Sequence, residues 1–598
     1  MQLFSFYGFW CIVSHNNNFA KNRRITMNLV KRFFDQADRF GDKTFLGAKG
    51  KDGWYTHSWK ETADAVSTLA DLLQAHGVGK GDRVLLLSEN RPEWAISDLA
   101  IMAIGAYAVP AYTTHNVDDL RHILALTEPK FAIVSSQALA DRVLEANVSE
   151  ETVDNMIVLE AGSHEKPDWH TKQVAWPATV ENAVRPDISH IDKDDVCCLI
   201  FTSGTGGQPK AAMLTHANVI HNVDSAKEIL DVIPVDDNDR FLSFLPLAHA
   251  YEHMAGFHMP ITQGAEIFYC ESTDKLAQYL GEVSPTMATA VPRLYDMLYA
   301  KIKSGVDRSS GAKKYLFNKA LSIGTKRINE EPLSLFETLI DPLLTKLVRK
   351  KLLQRFGGKI KYFISGGAPL DPEIGNFFTA LGVGIIQGYG QTEASPLISV
   401  NHPNKIKMST VGAAMSQVEF KISEQGELLI KGPNVMKGYW RNESATAMTI
   451  IDGWLHTGDL ATVDEDNYIS IVGRCKDLIV TSGGDNVAPA KIESKLALEE
   501  EIDQAVVFGD GHPWLGAVIV PSPEFAATVK SPEELEKKIS AVVKRVSHEL
   551  NSVERIRKFI IRDELFTIDN GYVTPTQKIK RAKVIEDLAE EIDALYGR

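Results

Sequence analysis

Cysteine is scarce. Five occur in 598 residues, Cys11, Cys197, Cys198, Cys270 and Cys475, with no CxxC spacing and no paired framework. That excludes a disulfide scaffold, fits a reducing compartment, and makes the cysteines read as buried apolar residues rather than ligands. No apolar run approaches the roughly 18 residues that suggest a membrane span. A basic surplus is also missing: the formal charge is -14 and the pI near 5.7. This excludes a general nucleic-acid binder, which needs a basic footprint, but not a small anion held in a local pocket. The apolar start MQLFSFYGFWCIV lacks a positive n-region, and Lys21, Arg23 and Arg24 follow it instead, so a secretory signal reads poorly. Met27 opens NLVKRFFDQADRF, patterned as an amphipathic helix. Residues 1–26 are therefore expected to be an upstream, non-native or disordered extension. A cytoplasmic location, with peripheral membrane association as an option, is the expectation for the whole chain.

What is present is an ordinary globular composition, 44% hydrophobic and 24% charged, over a length that one core does not usually support. From residue 83 to about 390, apolar runs such as RVLLLS, FAIVSS, CCLIFTS, FLSFLP, AEIFYC, KYFISGG and VGIIQGYG alternate with helical patterns. That alternation predicts an α/β fold with parallel sheets covered on both faces and ligands at the strands' carboxyl ends. After residue 411, VEFKISEQGELLIKG and YISIVG read as β-hairpin material. From Gly473 onward the pattern predicts a separate small α+β domain. The expected division is a large domain over 27–473, with a β-rich subdomain, and a small domain over 474–598. Between Pro342 and Lys361 there are seven Lys/Arg and no acid, with Leu344, Val348, Leu352 and Phe356 every fourth residue. This predicts a helix packed on the body with a solvated basic face. The alternative is a surface that meets anionic lipid.

The strongest local signal is TSGTGGQPK, Thr202 to Lys210, directly after the strand CCLIF. Small residues let the backbone approach a polyphosphate with its N–H groups aimed at it. The hydroxyls of Thr202, Ser203 and Thr205 add donors, Gly204, Gly206 and Gly207 leave room, and Lys210 adds positive charge. This is not a Walker A loop, which needs GxxxxGK[ST] opening a helix.

The loop resembles the phosphate loop of the adenylate-forming superfamily, which includes acyl-CoA synthetases, luciferases and peptide-synthetase adenylation domains. The usual family form has Thr where Gly206 stands and Gly where Ala211 stands. Further segments are similar to family motifs, in family order. LPLAH, 245–249, resembles the acyl-pocket segment and makes His249 a pocket candidate. SGGAPL, 365–370, resembles the adenine loop, with Gly366, Gly367 and Ala368. QGYGQTE, 387–393, with Gln387, Gly388 and Gly390, resembles the next motif. There the resemblance implies that Tyr389 stacks on adenine, Thr392 contacts the α-phosphate and Glu393, with Thr205, holds Mg²⁺. WLHTGD, 454–459, and GRCKD, 473–477, imply that Asp459 and Arg474 take the ribose hydroxyls and that Lys476 is a hinge. Gly483 and Gly484 would border the pantetheine path. TPTQKIKR, 574–581, aligns Lys578 with the family's catalytic lysine, with Gln577 in place of the usual Gly.

The resemblance implies a mobile C-terminal domain and two half-reactions. ATP and Mg²⁺ would adenylate a fatty acid, catalysed by Lys578, Thr205 and Glu393, and coenzyme A would take the acyl group. The helical insertion at 300–360 and the TPTxKxKR ending look like the long-chain or very-long-chain branch. Rival readings are an adenylating enzyme that loads a carrier protein, a luciferase-type oxygenase, and a catalytically inactive acyl-adenylate binder. The sequence leaves oligomeric state and chain length open.

Overall fold

A computed structural model describes residues 28–147, 152–160, 171–202, 208–233, 239–568, 570–574 and 578–597. The expected N-terminal extension lies outside them. The first helix, Leu29–Phe40, follows from its sequence. The Asn28 side chain accepts from the Lys31 backbone N–H at 2.8 Å, and one face buries Leu29, Val30, Phe33, Phe34, Ala37 and Phe40. Phe45 stacks on Trp59 at 3.7 Å beside that face.

Two large sheets form the body. One has seven strands, with Phe131–Ser136, Arg83–Leu87, Tyr107–Ala111 and Val196–Phe201 parallel at its centre. Ala211–Thr215 closes it antiparallel to Val196–Phe201. The other has nine strands. Its parallel centre runs through Arg240–Ser243, Met287–Ala290, Tyr362–Ser365 and Gly384–Gly390, with antiparallel strands at both edges. All seven apolar runs expected as strands are strands. Arg83–Leu87, Phe131–Ser136 and Val196–Phe201 are buried almost throughout, as strands covered on both faces require. The expected β-rich stretch is an antiparallel sheet built from Glu419–Ile422, Glu427–Lys431, Trp454–Val463 and Ile469–Arg474.

Beyond it the chain forms a hairpin, Ile479–Val480 with Asn486–Val487, and a mixed three-stranded sheet, Ile502–Phe508, Leu515–Pro521 and Ile556–Ile561. The helices Pro489–Ala497 and Pro532–His548 accompany it. The buried apolar side chains from Ile479 to Ile592 fall in two clusters drawn only from that stretch.

The helical region holds Pro292–Asp307, Gly311–Ile328 and Leu335–Leu344; the last runs on through a π-turn, Thr345–Arg349, into Lys350–Arg355. Leu344, Leu352 and Phe356 are buried and Val348 is half-buried, so the expected stripe does pack on the body. The basic face is not wholly solvated, however. Arg349 is buried, 2.7 Å from Asp341 and hydrogen-bonded to the carbonyls of Ala320 and Ala380. Lys361 reaches Asp239 at 2.7 Å. The buried carboxylates of Asp341 and Asp239 draw these two cations inward.

Candidate active site

The nucleotide-type loops are where strand chemistry puts them, at carboxyl ends. Strand Tyr362–Ser365 runs into Gly366 and Gly367. A Cβ on Gly366 would lie 3.1 Å from the Tyr251 ring, and Gly367 has φ of +83°. Glycine is needed at both, for close approach and for the left-handed turn. Tyr251 Oη donates to the Ile364 carbonyl at 2.7 Å, which fixes its ring against the loop. At the end of Gly384–Gly390, a Cβ on Gly390 would meet the Pro396 carbonyl oxygen at 1.8 Å.

A cavity of about 920 Å³ opens above these strand ends. It gathers Thr202, Lys210, His249, Gly366, Gly367, Gly388, Tyr389, Gly390, Thr392, Glu393, Arg474, Lys476 and Lys578, candidates spread over nearly 400 residues of sequence. Ser203, Gly204, Thr205, Gly206, Gly207 and Gln577 lie outside the described residues. The remaining candidates do not line the cavity. Ala368 is exposed beyond it. Gln387 is buried and turns its amide to the Thr410 carbonyl at 3.3 Å. Gly483 and Gly484 form the turn of the 479–487 hairpin, where Gly484 has φ of +86° and donates to the Thr481 carbonyl.

Asp459 is the buried partner of two neighbours. Its carboxylate accepts from Tyr389 Oη at 2.5 Å and meets Arg474 Nε at 3.1 Å. The antiparallel ladder that pairs Asp459 with Arg474 across adjacent strands sets this geometry. Burial pushes the Asp459 carboxyl above its ordinary pKa, against the pull of Arg474 and Tyr389. On the phosphate-loop side, Thr202 and Lys210 bind each other through the Thr202 N–H to the Lys210 carbonyl, 2.9 Å. Lys210 Nζ stands 4.4 Å from the centroid of the Tyr439 ring, and Tyr439 Oη donates to Glu393 at 2.7 Å.

Lys578 enters this space from the C-terminal segment. Two hydrogen bonds hold it to Thr574: the Thr574 N–H donates to the Lys578 carbonyl at 2.8 Å, and the Lys578 N–H to Thr574 Oγ1 at 3.1 Å. Burial lowers its pKa, helped by Arg474 and opposed by Asp459 and Glu393. His249 is pushed down to about 4, first by burial and then by the Lys578 charge, and is neutral at pH 7. Lys210, Arg474 and Lys578 line the cavity together with the carboxylate of Glu393, a set of charges suited to a polyphosphate.

Tyr251, Tyr439 and Glu427 were not among the sequence candidates. Glu427 accepts from the Gly458 N–H at 2.9 Å and pairs with His456 Nδ1 at 3.1 Å, which pins the strand just before Asp459. For Tyr439 the run MKGYW carried a signal, because Gly438 has φ of +138° and brings the strand back beside Ala212. Cys197, Cys198 and Cys270 are buried as expected, whereas Cys475 is exposed at the cavity rim. It continues the Arg474 strand, with its N–H tied to the Gly458 carbonyl at 2.8 Å.

Solved structures share this architecture. The adenylation domain of a carboxylate reductase from Mycobacterium chelonae superposes with a TM-score of 0.76 at 22% identity, over 96% of this chain and 92% of that one. ATP-bound MatB from Rhodopseudomonas palustris gives 0.69 at 22%, over 94% and 99%. These likenesses establish the adenylate-forming fold. Among curated proteins, the long-chain-fatty-acid–CoA ligase FadD15 of Mycobacterium bovis is 33% identical over 91% of this chain and 93% of its own length. The long-chain-fatty-acid–[acyl-carrier-protein] ligase AEE15 of Arabidopsis thaliana is 30% identical over 94% and 85%. Residues 33–440 match the AMP-binding enzyme family and residues 476–598 its C-terminal domain, so the chain belongs to the AMP-binding, adenylate-forming family of acyl-activating ligases.

Proposed function

We propose that the protein is an AMP-forming ligase that adenylates a long-chain fatty acid and passes the acyl group to coenzyme A. The observation that carries this reading is Lys578, from the C-terminal segment, lining one cavity with Glu393, Arg474 and His249. In the first step a fatty carboxylate oxygen attacks the α-phosphorus of ATP, and the bond to the pyrophosphate oxygen breaks. Lys578 would donate to the oxygens on which charge builds, while Asp459 and Arg474 hold the ribose. Glu393 offers a hard oxygen toward the phosphate loop, held by Tyr439, and fits Mg²⁺, which would neutralise phosphate charge. In the second step the CoA thiol attacks the acyl carbonyl, loses its proton, and AMP leaves with the bonding electrons.

Two observations support a long acyl chain. The cavity lining includes the apolar side chains of Ile229, Leu230, Met254 and Met259. The 33% relative is a long-chain-fatty-acid–CoA ligase. The AEE15 likeness makes carrier-protein loading the second reading.

The test is AMP release with a ladder of acids from acetate to very long chains, with and without CoA, beside Lys578→Ala. A long-chain optimum that needs CoA is expected. The variant should lose about 10²–10³-fold in ATP–pyrophosphate exchange and keep the transfer of acyl from supplied acyl-adenylate to CoA. AMP release that only a carrier protein stimulates would favour the second reading. Silence on every acid would refute both.

A further inference from the structure

We propose that the face of the helix Leu335–Leu344, continued by Lys346 and Lys350, docks on an anionic lipid bilayer. This helix is built inside out. Its two acids, Glu337 and Asp341, are only 5% and 4% exposed. Both are held by cations of the body. Glu337 takes Lys319 at 2.9 Å and Lys326 at 3.0 Å, and Asp341 takes Arg327 and Arg349, each at 2.7 Å. Its large apolar residues face the other way: Leu335 is 86% exposed, Phe336 61%, Leu339 79% and Leu343 53%.

A solvent-facing helix surface normally carries its acids and hides its leucines. Four large side chains at i, i+1, i+4 and i+8 form one contiguous stripe, the kind of exposed patch that marks an interaction site. What continues the stripe decides the occupant. Lys346, Lys350, Lys351 and Arg355 are exposed along the following turns, and from Leu335 to Lys361 the only acids are the two buried ones. The outer surface is therefore apolar and cationic, with no exposed carboxylate. That combination complements the acyl chains and phosphate headgroups of an anionic bilayer, with leucines entering the interface and lysines on its phosphates. A second copy docked face to face would set Lys346 and Lys350 against the same cations and offers no such complement. Among the described residues no helix is long and apolar enough to cross a membrane, so the contact would be peripheral. The surface argument is independent of the reaction. Only its use, drawing a poorly soluble acid from the bilayer, rests on the proposed function.

The test is sedimentation of the full chain with phosphatidylcholine vesicles, with or without phosphatidylglycerol, at low and high salt, and of two variants. One is Leu335→Ser/Leu339→Ser/Leu343→Ser and the other Lys346→Glu/Lys350→Glu. Binding to the anionic vesicles that weakens with salt is expected. The serine variant should lose more than about tenfold in partitioning, and the glutamate variant about fivefold or more for each lysine reversed. The substituted leucines are mostly exposed, so thermal unfolding should stay within a few degrees of the wild type and show that lost binding is not lost fold. Absent binding to anionic vesicles, equal binding by the variants, or a dimer in solution that the serine variant dissolves would each overturn the proposal. None of these readouts needs turnover, so failure of the catalytic reading would leave the result standing.

Discussion

Glu252 should make this protein less stable as pH rises through neutrality, and Glu252→Gln should remove the effect. The carboxyl is fully buried between the two strands Arg240–Ser243 and Met287–Ala290, accepting from Ser243 Oγ at 2.7 Å and from Thr289 Oγ1. Burial raises its pKa from 4.5 to about 7, against the pull of those hydroxyls. Between these values the native state keeps a proton that the unfolded chain has lost. Stability therefore falls with rising pH across that window and levels off above it. A shift of that size corresponds to about 3 kcal/mol, of which about 2–3 kcal/mol falls between pH 5 and pH 8. Glutamine keeps the shape and the acceptor but has no charge to bury. Urea unfolding of both proteins at the two pH values measures the difference directly: the midpoints should lie close at pH 5 and separate at pH 8, with glutamine the more stable. Curves offset equally at both pH values would refute the reasoning and mean that Glu252 is ionised in the fold.

Gly390→Ala should cripple folding rather than chemistry, because its methyl would meet the Pro396 carbonyl oxygen at 1.8 Å and the Leu397 Cα at 3.1 Å, backbone that cannot swing aside. Expected are poor soluble yield and a melting temperature several degrees lower, and normal thermal unfolding would contradict the packing described. Lys476→Pro should leave ATP–pyrophosphate exchange within about twofold while reducing thioester formation by about tenfold or more, since it fixes a torsion at the proposed hinge. Equal loss of both half-reactions would count against a hinge there.

Much of the fold was legible because buried parallel strands write themselves as short apolar runs, and because the strand-end loops depend on residue type. Gly366, Gly367 and Gly390 sit where a Cβ or a negative φ will not fit, and such positions announce themselves as glycine. Tyr251, Tyr439 and Glu427 were not legible, since each acts through a partner 31 to 113 residues away in sequence. The helix at 335–355 shows the limit of periodicity most clearly. The spacing of Leu344, Val348, Leu352 and Phe356 identified a packed stripe correctly, yet Glu337 and Asp341 look like a solvent face. Only the tertiary placement of Lys319, Lys326 and Arg327 turns those acids inward and leaves Leu335 and Leu339 outside. A hydrophobic pattern reports that a helix has two faces, and the charges on its neighbours decide which one meets water.

The same separation of local and long-range causes bears on how one cavity could serve two half-reactions. Lys578 and the Gly483–Gly484 turn belong to one stretch with its own cores, but only Lys578 lines the cavity here. The strand Ile469–Arg474 still belongs to the sheet of the large body, where Arg474 pairs with Asp459. By Ile479 the chain is packed in the other core. The change of allegiance is confined to a few residues around Lys476, which are exposed and outside any strand. A body joined to its neighbour at so short a segment can turn as a unit without breaking either core. Turning it would withdraw Lys578 and present a different edge to the acyl-adenylate. The proposed second step would therefore exchange one cation, whose pKa burial and Arg474 already depress, for another edge of the same body.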